Sequence, residues 1–395
     1  MRFSLRTGWD TAESELARKH RLRCEAGLPI ADLTASNPTR CGFAYDPNLL
    51  QALADPRAFD YDPQPRGSLR ALQAVCRYYE GHGVAVRPEQ LVLTTSTSEA
   101  YSYLFRLLCD AGSEIAVLQP GYPLFDFLAT LDHVVLRPAP LLYDHGWQID
   151  PEGLRRAITP ETRAIALVHP NNPTGHFTKR WEAEELTQLC RERDLSLIVD
   201  EVFLDYGFDG AGVSFAAGLD GVPLFVVSGL SKIAGLPQMK AAWIVATGPK
   251  AGPALERLEV IADTFLSMNA PVACALPKWL EGTNAIQGQI GERLKANLTE
   301  LDRQLERLPA VRRMDVEGGW YAVLRIPALK PDKQTVLELL ERGVWVHPGY
   351  FFGMADSGWL VVSLLGQEAE FRQGVTGLVN YLGTHPDRNM PTLPA

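Results

Sequence analysis

Between residues 91 and 248, seven short apolar runs alternate with segments of helical character. They are LVLTT from 91, EIAVLQP from 114, VVLRPA from 134, AIALVHP from 164, LSLIVDEVF from 195, LFVVSG from 224 and AAWIVATG from 241. Runs this short, rich in β-branched residues and apolar on both faces, suit strands that are covered on both sides. Helical segments between such strands act as crossovers, so the pattern predicts an α/β fold around a mainly parallel sheet.

The chain of 395 residues is long for one hydrophobic core, and two domains are expected. Helical periodicity marks residues 13–27 and 68–82 ahead of the alternating region. After about 285, a long helical stretch at 287–307 leads into a second α/β region with strand-like WYAVLRI from 320, VWVHP from 344 and WLVVSLL from 359. The last residues, about 385–395, lack periodicity and read as a loose tail.

Charge and composition exclude several function classes. A net charge of -9 disfavours nucleic acid and anionic membrane as main partners. No apolar run is long enough to span a bilayer, and the opening MRFSLRTGWDTAESE has no apolar core of the kind a secretory signal needs. Six scattered cysteines without a C-x-x-C pair fit reduced thiols, and hence a cytoplasmic protein, better than a disulfide frame. Eight histidines show no H-x-x-x-H or H-x-x-E-H spacing, so no metal site is expected.

In open α/β sheets, ligands collect at the carboxyl ends of the strands. Those ends carry Thr95-Ser96-Thr97, Pro120-Gly121-Tyr122, Asn171 to Gly175, Asp200-Glu201 and Ser228 to Lys232. Each alone is ordinary turn chemistry; together they deliver five polar or aromatic groups to one rim. Asp200 follows an apolar strand, and a buried carboxylate there needs a partner. Ser96, Thr97 and Ser98 precede the helical EAYSYLFRLLCD, where hydroxyls and free backbone N–H groups meet at a helix N-terminus suited to an anion. Ser96 with Glu99 reads equally as a capping box. Lys232 lies in a serine-rich turn after a strand and, on composition alone, reads as a solvated surface lysine.

With Tyr61, Pro63 and Gly67, P-G-Y at 120–122, N-N-P-T-G at 171–175, D-E-V-F at 200–203, S-x-x-S-K at 228–232 with Gly235, and H-P-G-Y-F-F-G at 347–353, the sequence resembles the fold-type I class I/II aminotransferases, which depend on pyridoxal 5′-phosphate (PLP), from about residue 30 to 380. The resemblance implies a seven-stranded large domain over 45–285. It also implies a smaller α/β domain from 1–44 with 286–395, and a homodimer with shared active sites. Lys232 would hold PLP as a Schiff base and shuttle a proton, tasks that a lysine of lowered pKa performs well. Asp200 would face the pyridine nitrogen, Tyr122 would stack on the ring and Asn172 would meet its phenolic oxygen. Ser96, Thr97, Ser231 and Lys240, with Tyr61 from the other subunit, would hold the phosphate.

Four positions depart from the pattern. Lys240 stands where most relatives carry arginine, keeping the charge but losing the bidentate fork. Ser96 replaces a glycine, which requires a turn with φ below zero. Phe203 replaces a tyrosine that bonds the phenolic oxygen. Val361 stands where relatives carry the arginine that clamps the substrate α-carboxylate, and no arginine lies between Arg342 and Arg372. Arg40, after Asn37 in a loop that lines the site in relatives, is the substitute candidate, with Arg325 second. The expected function is amino-group transfer between an amino acid or related amine and a keto acid. A PLP-dependent lyase, decarboxylase or cyclase is the alternative. A regulatory cofactor-binding domain is disfavoured, because no basic helix-turn-helix segment is present.

Overall fold

The computed structural model describes residues 1–383 apart from 211 and 267; the expected tail at about 385–395 lies outside the described residues. The chain divides into two compact units. One comprises Met1–Asp10, Asn37–Gly291 and Asp315–Trp320; the other comprises Thr11–Ser36, Glu292–Met314 and the described residues from Tyr321 on.

The first unit is built on eight strands: β1 (Leu91–Thr94), β2 (Glu114–Gln119), β3 (Val135–Tyr143), β4 (Trp147–Ile149), β5 (Thr162–Val168), β6 (Ser196–Asp200), β7 (Leu224–Gly229) and β8 (Ala242–Thr247). Their order across the sheet is β1-β8-β7-β6-β5-β2-β3-β4. β7, β6, β5, β2 and β3 pair in parallel, while β8 runs against both β7 and β1, and β4 runs against β3. The sheet is thus mainly parallel, as expected, but has eight strands rather than seven. The extra strand is the three-residue β4, too short to carry a period of its own.

Every residue of β1, β6, β7 and β8 is buried, which is why these segments read as unbroken apolar runs. Fully burying a Val, Leu or Ile side chain contributes about 1.5–3 kcal/mol, so these four strands anchor the unit. Helix α1 (Leu69–Gly81) covers one face and is tied to β8 by a hydrogen bond from Trp243 Nε1 to the Tyr79 hydroxyl at 3.1 Å. Helices α2 (Thr97–Leu108), α3 (Leu124–Leu131) and α4 (Arg180–Arg193) each follow a strand end. The rim at the carboxyl ends of β1, β2, β5, β6 and β7 therefore carries the polar residues singled out above.

The second unit holds an antiparallel sheet of β9 (Arg312–Arg313), β10 (Tyr321–Arg325), β11 (His347–Pro348) and β12 (Trp359–Ser363), in the order β9-β10-β12-β11. A separate parallel pair joins Ala31–Asp32 to Val344–Trp345. Val361 is at the centre of β12, opposite Val323 on one side and His347 on the other, and is fully buried. None of the six cysteines is paired. Among the described residues, no helix is long and apolar enough to cross a membrane.

Candidate active site

β6 ends at Asp200, which is buried with its strand. Its Oδ1 accepts the Val202 backbone N–H at 3.0 Å and its Oδ2 accepts the Tyr101 hydroxyl at 3.1 Å. Burial pushes the Asp200 pKa up to about 6; the two hydrogen bonds and the charge of Lys232 act against that rise. A carboxylate with two donors and one nearby cation keeps acceptor capacity in reserve for a further positive group.

Lys232 lies in the short helix α5 (Leu230–Ile233), which leaves β7 at Gly229. A side chain at Gly229 would meet the Ala242 Cβ at 2.8 Å and the Ala241 carbonyl at 2.9 Å, so the turn into α5 needs glycine. The Leu230 N–H then bonds the Ala241 carbonyl at 2.9 Å, and the Tyr206 hydroxyl donates to the Lys232 carbonyl at 2.6 Å. The Lys232 ammonium sits 4.7 Å from the Trp320 ring centre and 5.6 Å from that of Phe203, and these two rings meet edge to face at 5.4 Å. Burial lowers the Lys232 pKa to about 8, with Asp200 opposing. Desolvation, not a neighbouring cation, makes this amine easy to deprotonate.

Asn172 is buried at the end of the β5 connection, and its Oδ1 has no hydrogen-bond partner. The neighbouring Asn171 instead closes the loop, accepting the Thr174 hydroxyl at 2.8 Å. Ser228 Oγ at the end of β7 is a second buried polar atom without a partner. Such orphans cost free energy unless a ligand satisfies them.

Ser96 caps α2: its Oγ accepts the Glu99 N–H at 3.1 Å. Only half of the capping box forms, because Glu99 Oε2 turns to the Thr95 N–H at 2.6 Å and the Thr95 hydroxyl at 3.0 Å. With φ at -164° Ser96 is extended, so the departure from glycine carries no strain. Thr97, Ser98 and Ser231 are half-buried at the same rim, while Lys240 is exposed in a left-handed turn with φ at 52°. Tyr122 is 44% exposed; burial and the Asp200 charge both raise its pKa.

Three further expected residues are exposed. Tyr61 is 80% exposed and lines a cavity of about 490 Å³ with Arg57, Arg70, Asp263 and Asn269, apart from Lys232. Asn37 Oδ1 is committed to its own turn, accepting the Thr39 N–H at 3.1 Å and the Thr39 hydroxyl at 2.8 Å. Arg40 is exposed at the end of that turn. The turn itself lies beside Gly235, where a side chain would come within 3.6 Å of Pro38. The second-choice cation, Arg325, is already engaged: its Nη1 donates to the Ser357 carbonyl at 2.8 Å and its guanidinium stacks 4.5 Å from Trp359.

Tyr101, Tyr206 and Trp320 were not singled out in the sequence. Only the tertiary fold brings them to Asp200 and Lys232.

Residues 44–378 match the family described as aminotransferase class I and II, and the chain belongs to that family. Among curated relatives, it is 26% identical over 382 residues to the glutamate-pyruvate aminotransferase AlaA of Haemophilus influenzae, covering 93% of this chain and 94% of that one. It is 29% identical over 383 residues to the alanine aminotransferase of Mycobacterium tuberculosis, with 92% and 88% covered. The structure superposes on an alanine aminotransferase from Pyrococcus furiosus with a TM-score of 0.89 at 23% identity, over 97% of this chain and 100% of that one. A Thermus thermophilus aspartate aminotransferase with maleate gives 0.84 at 24% identity, over 97% and 100%. These likenesses establish the PLP-dependent transferase fold.

The protein is accordingly a PLP-dependent aminotransferase that moves an amino group between an amino acid and a keto acid. Its residues fit the cofactor. A desolvated lysine, a buried carboxylate with acceptor capacity to spare, an orphaned asparagine oxygen and a helix N-terminus share one rim.

Proposed function

We propose that Lys232 is the cofactor lysine and that the rim around it forms the PLP site, completed by Tyr61 of a second copy. The observation that carries this reading is the desolvated Lys232 amine, its pKa lowered to about 8, next to the buried carboxylate of Asp200. When bound, PLP supplies an aldehyde that condenses with amines and a ring that accepts electrons from the substrate α-carbon.

The chain's own groups divide the remaining work. Asp200, oriented by Tyr101 and the Val202 N–H, would keep the pyridine nitrogen positive. Asn172 would serve the phenolic oxygen and Tyr122 would pack against the ring. Ser96, Thr97, Ser231 and Lys240 would hold the phosphate with the first N–H groups of α2, and Tyr61 would join them from a second copy of the chain, which would make the working unit a homodimer. Lys232, through Nζ, would take up the substrate α-proton and return it. An amine with a pKa near 8 suits both directions at neutral pH.

The donor and acceptor are an α-amino acid and a 2-keto acid, and the names of the relatives point to the alanine–pyruvate and glutamate pairs. Arg40 takes the substrate carboxylate in place of the arginine absent at Val361, with Asn37 shaping its turn. The cytoplasm is the expected compartment. The comparisons do not favour the lyase, decarboxylase or cyclase alternative.

Half-reaction spectra test the reading. Adding L-alanine or L-glutamate to the holoprotein should bleach its visible band, and pyruvate or 2-oxoglutarate should restore it. Bleaching that no keto acid reverses, or release of ammonia in its place, would reject amino transfer.

A further inference from the structure

Trp320 reaches Lys232 from the segment Asp315–Trp320, which belongs to the first unit although the second unit's chain flanks it on both sides. Glu317 holds that segment. Its Oε2 accepts the Phe177 N–H at 2.9 Å, its Oε1 pairs with the Lys179 ammonium, its N–H donates to the Gly175 carbonyl at 3.3 Å and its carbonyl accepts the Phe208 N–H at 2.9 Å.

Behind Glu317 lies His176, almost fully buried. Its Nε2 is 2.9 Å from Glu182 Oε2 and its Nδ1 is 3.6 Å from Glu317 Oε2. Glu182 in turn accepts the Ile149 N–H at 2.7 Å and the Lys179 N–H at 2.6 Å. Burial alone would keep this imidazole neutral, but the hydrogen bond to Glu182 and the facing carboxylate of Glu317 outweigh burial and raise its pKa. A carboxylate on either side makes burial of this imidazole tolerable.

The next residues are stitched as tightly. Gly318 bridges Gly207, and the Gly319 N–H donates to the Tyr206 carbonyl at 2.8 Å; Tyr206 itself holds the Lys232 carbonyl. Gly175, at φ +71°, lets the loop that carries Asn172 approach this segment. A side chain there would meet the Gly318 carbonyl and Val316.

We infer that Glu317 is a positioning residue: clamped by His176 and Lys179, it fixes the turn that keeps the Trp320 indole over the Lys232 amine. The inference rests on Lys232 being the cofactor lysine. An indole in that place keeps water from the amine, which favours its neutral form; the cation–π contact with the protonated form opposes this but is outweighed, since the net shift of Lys232 is downward. Glu317 itself touches neither Lys232 nor substrate.

The test is the pH midpoint of cofactor uptake by the apoprotein, read from the rise of the visible band, together with kcat and KM. Glu317→Ala should move the midpoint up by about one unit, toward that of an ordinary lysine, and lower kcat with little change in KM. Trp320→Ala should give the same shift, and the double variant should shift no further, because the two act through one contact. Glu317→Asp should restore most of the midpoint. Where alanine does not fold, Glu317→Gln keeps the acceptor for Phe177 and must shift the midpoint in the same direction. A native midpoint in the Glu317 variants, or shifts that add in the double variant, overturns the inference. Lys232→Ala, run alongside, separates the two readings. A visible band that survives this substitution removes the cofactor lysine and the inference with it. A band that is lost, beside unchanged Glu317 variants, removes only the inference.

Discussion

The Tyr101 hydroxyl donates to Asp200 Oδ2 across 3.1 Å, joining helix α2 to the end of β6 with both side chains buried. This bond partly offsets the burial that raises the Asp200 pKa to about 6. Tyr101→Phe removes the donor and leaves the carboxylate more reluctant to ionise. A hydrogen bond to a charged group contributes about 1.5–3 kcal/mol, so PLP affinity should fall at least about tenfold. Equilibrium dialysis against free PLP measures this directly. An affinity within twofold of wild type would show that Tyr101 does not support Asp200.

The lowered pKa of Lys232 predicts a pH dependence of apoprotein stability. Its folded value is about 8, against about 10.4 for an exposed lysine. Below pH 8 both states bind the proton, and the folded state bears the cost of a desolvated charge. Between 8 and 10.4 the unfolded state binds more protons, so this group makes stability rise with pH. Lys232→Met removes the group. The apo variant should be more stable than apo wild type near pH 7, by about 3 kcal/mol, with the gap closing toward pH 10. Denaturant melts at several pH values check it. A gap that is constant across that range would contradict the burial of the amine.

Much of this architecture was legible because the central strands are buried on both faces. Leu195 to Val199 and Leu224 to Val227 could not be mistaken for half-exposed strands, and their ends named the rim. β4 escaped because three residues, Trp147–Ile149, carry no usable period. Ser96 was legible as both an anion-site residue and a cap, and the structure commits its Oγ to capping. Tyr101, Tyr206 and Trp320 were not legible. An aromatic at an apolar position looks the same whether its hydroxyl or ring face meets solvent, core or catalytic lysine. Only the packing of α2 and of Asp315–Trp320 gives these residues their partners.

The substrate carboxylate poses a narrower question. Val361 is buried in β12 and Arg325 is tied to Ser357 and Trp359, and the proposed clamp is Arg40, on its turn beside Gly235. A charge-assisted pair lost from a binding site costs about 1.5–3 kcal/mol. Arg40→Ala should therefore raise KM for amino-acid donors at least about tenfold, while PLP affinity stays the same. Steady-state kinetics with L-alanine and L-glutamate give the comparison. An unchanged KM would pass the carboxylate to another group.

The central claim is that Lys232 carries the cofactor, and chemical trapping tests it most directly. Reducing the holoprotein with borohydride fixes PLP to whichever lysine holds it, and peptide mass mapping then locates the pyridoxyl group. The account predicts one labelled peptide containing Lys232, with no label in the Lys232→Ala variant. Label on Lys240, or on any other lysine in the wild-type protein, would contradict it.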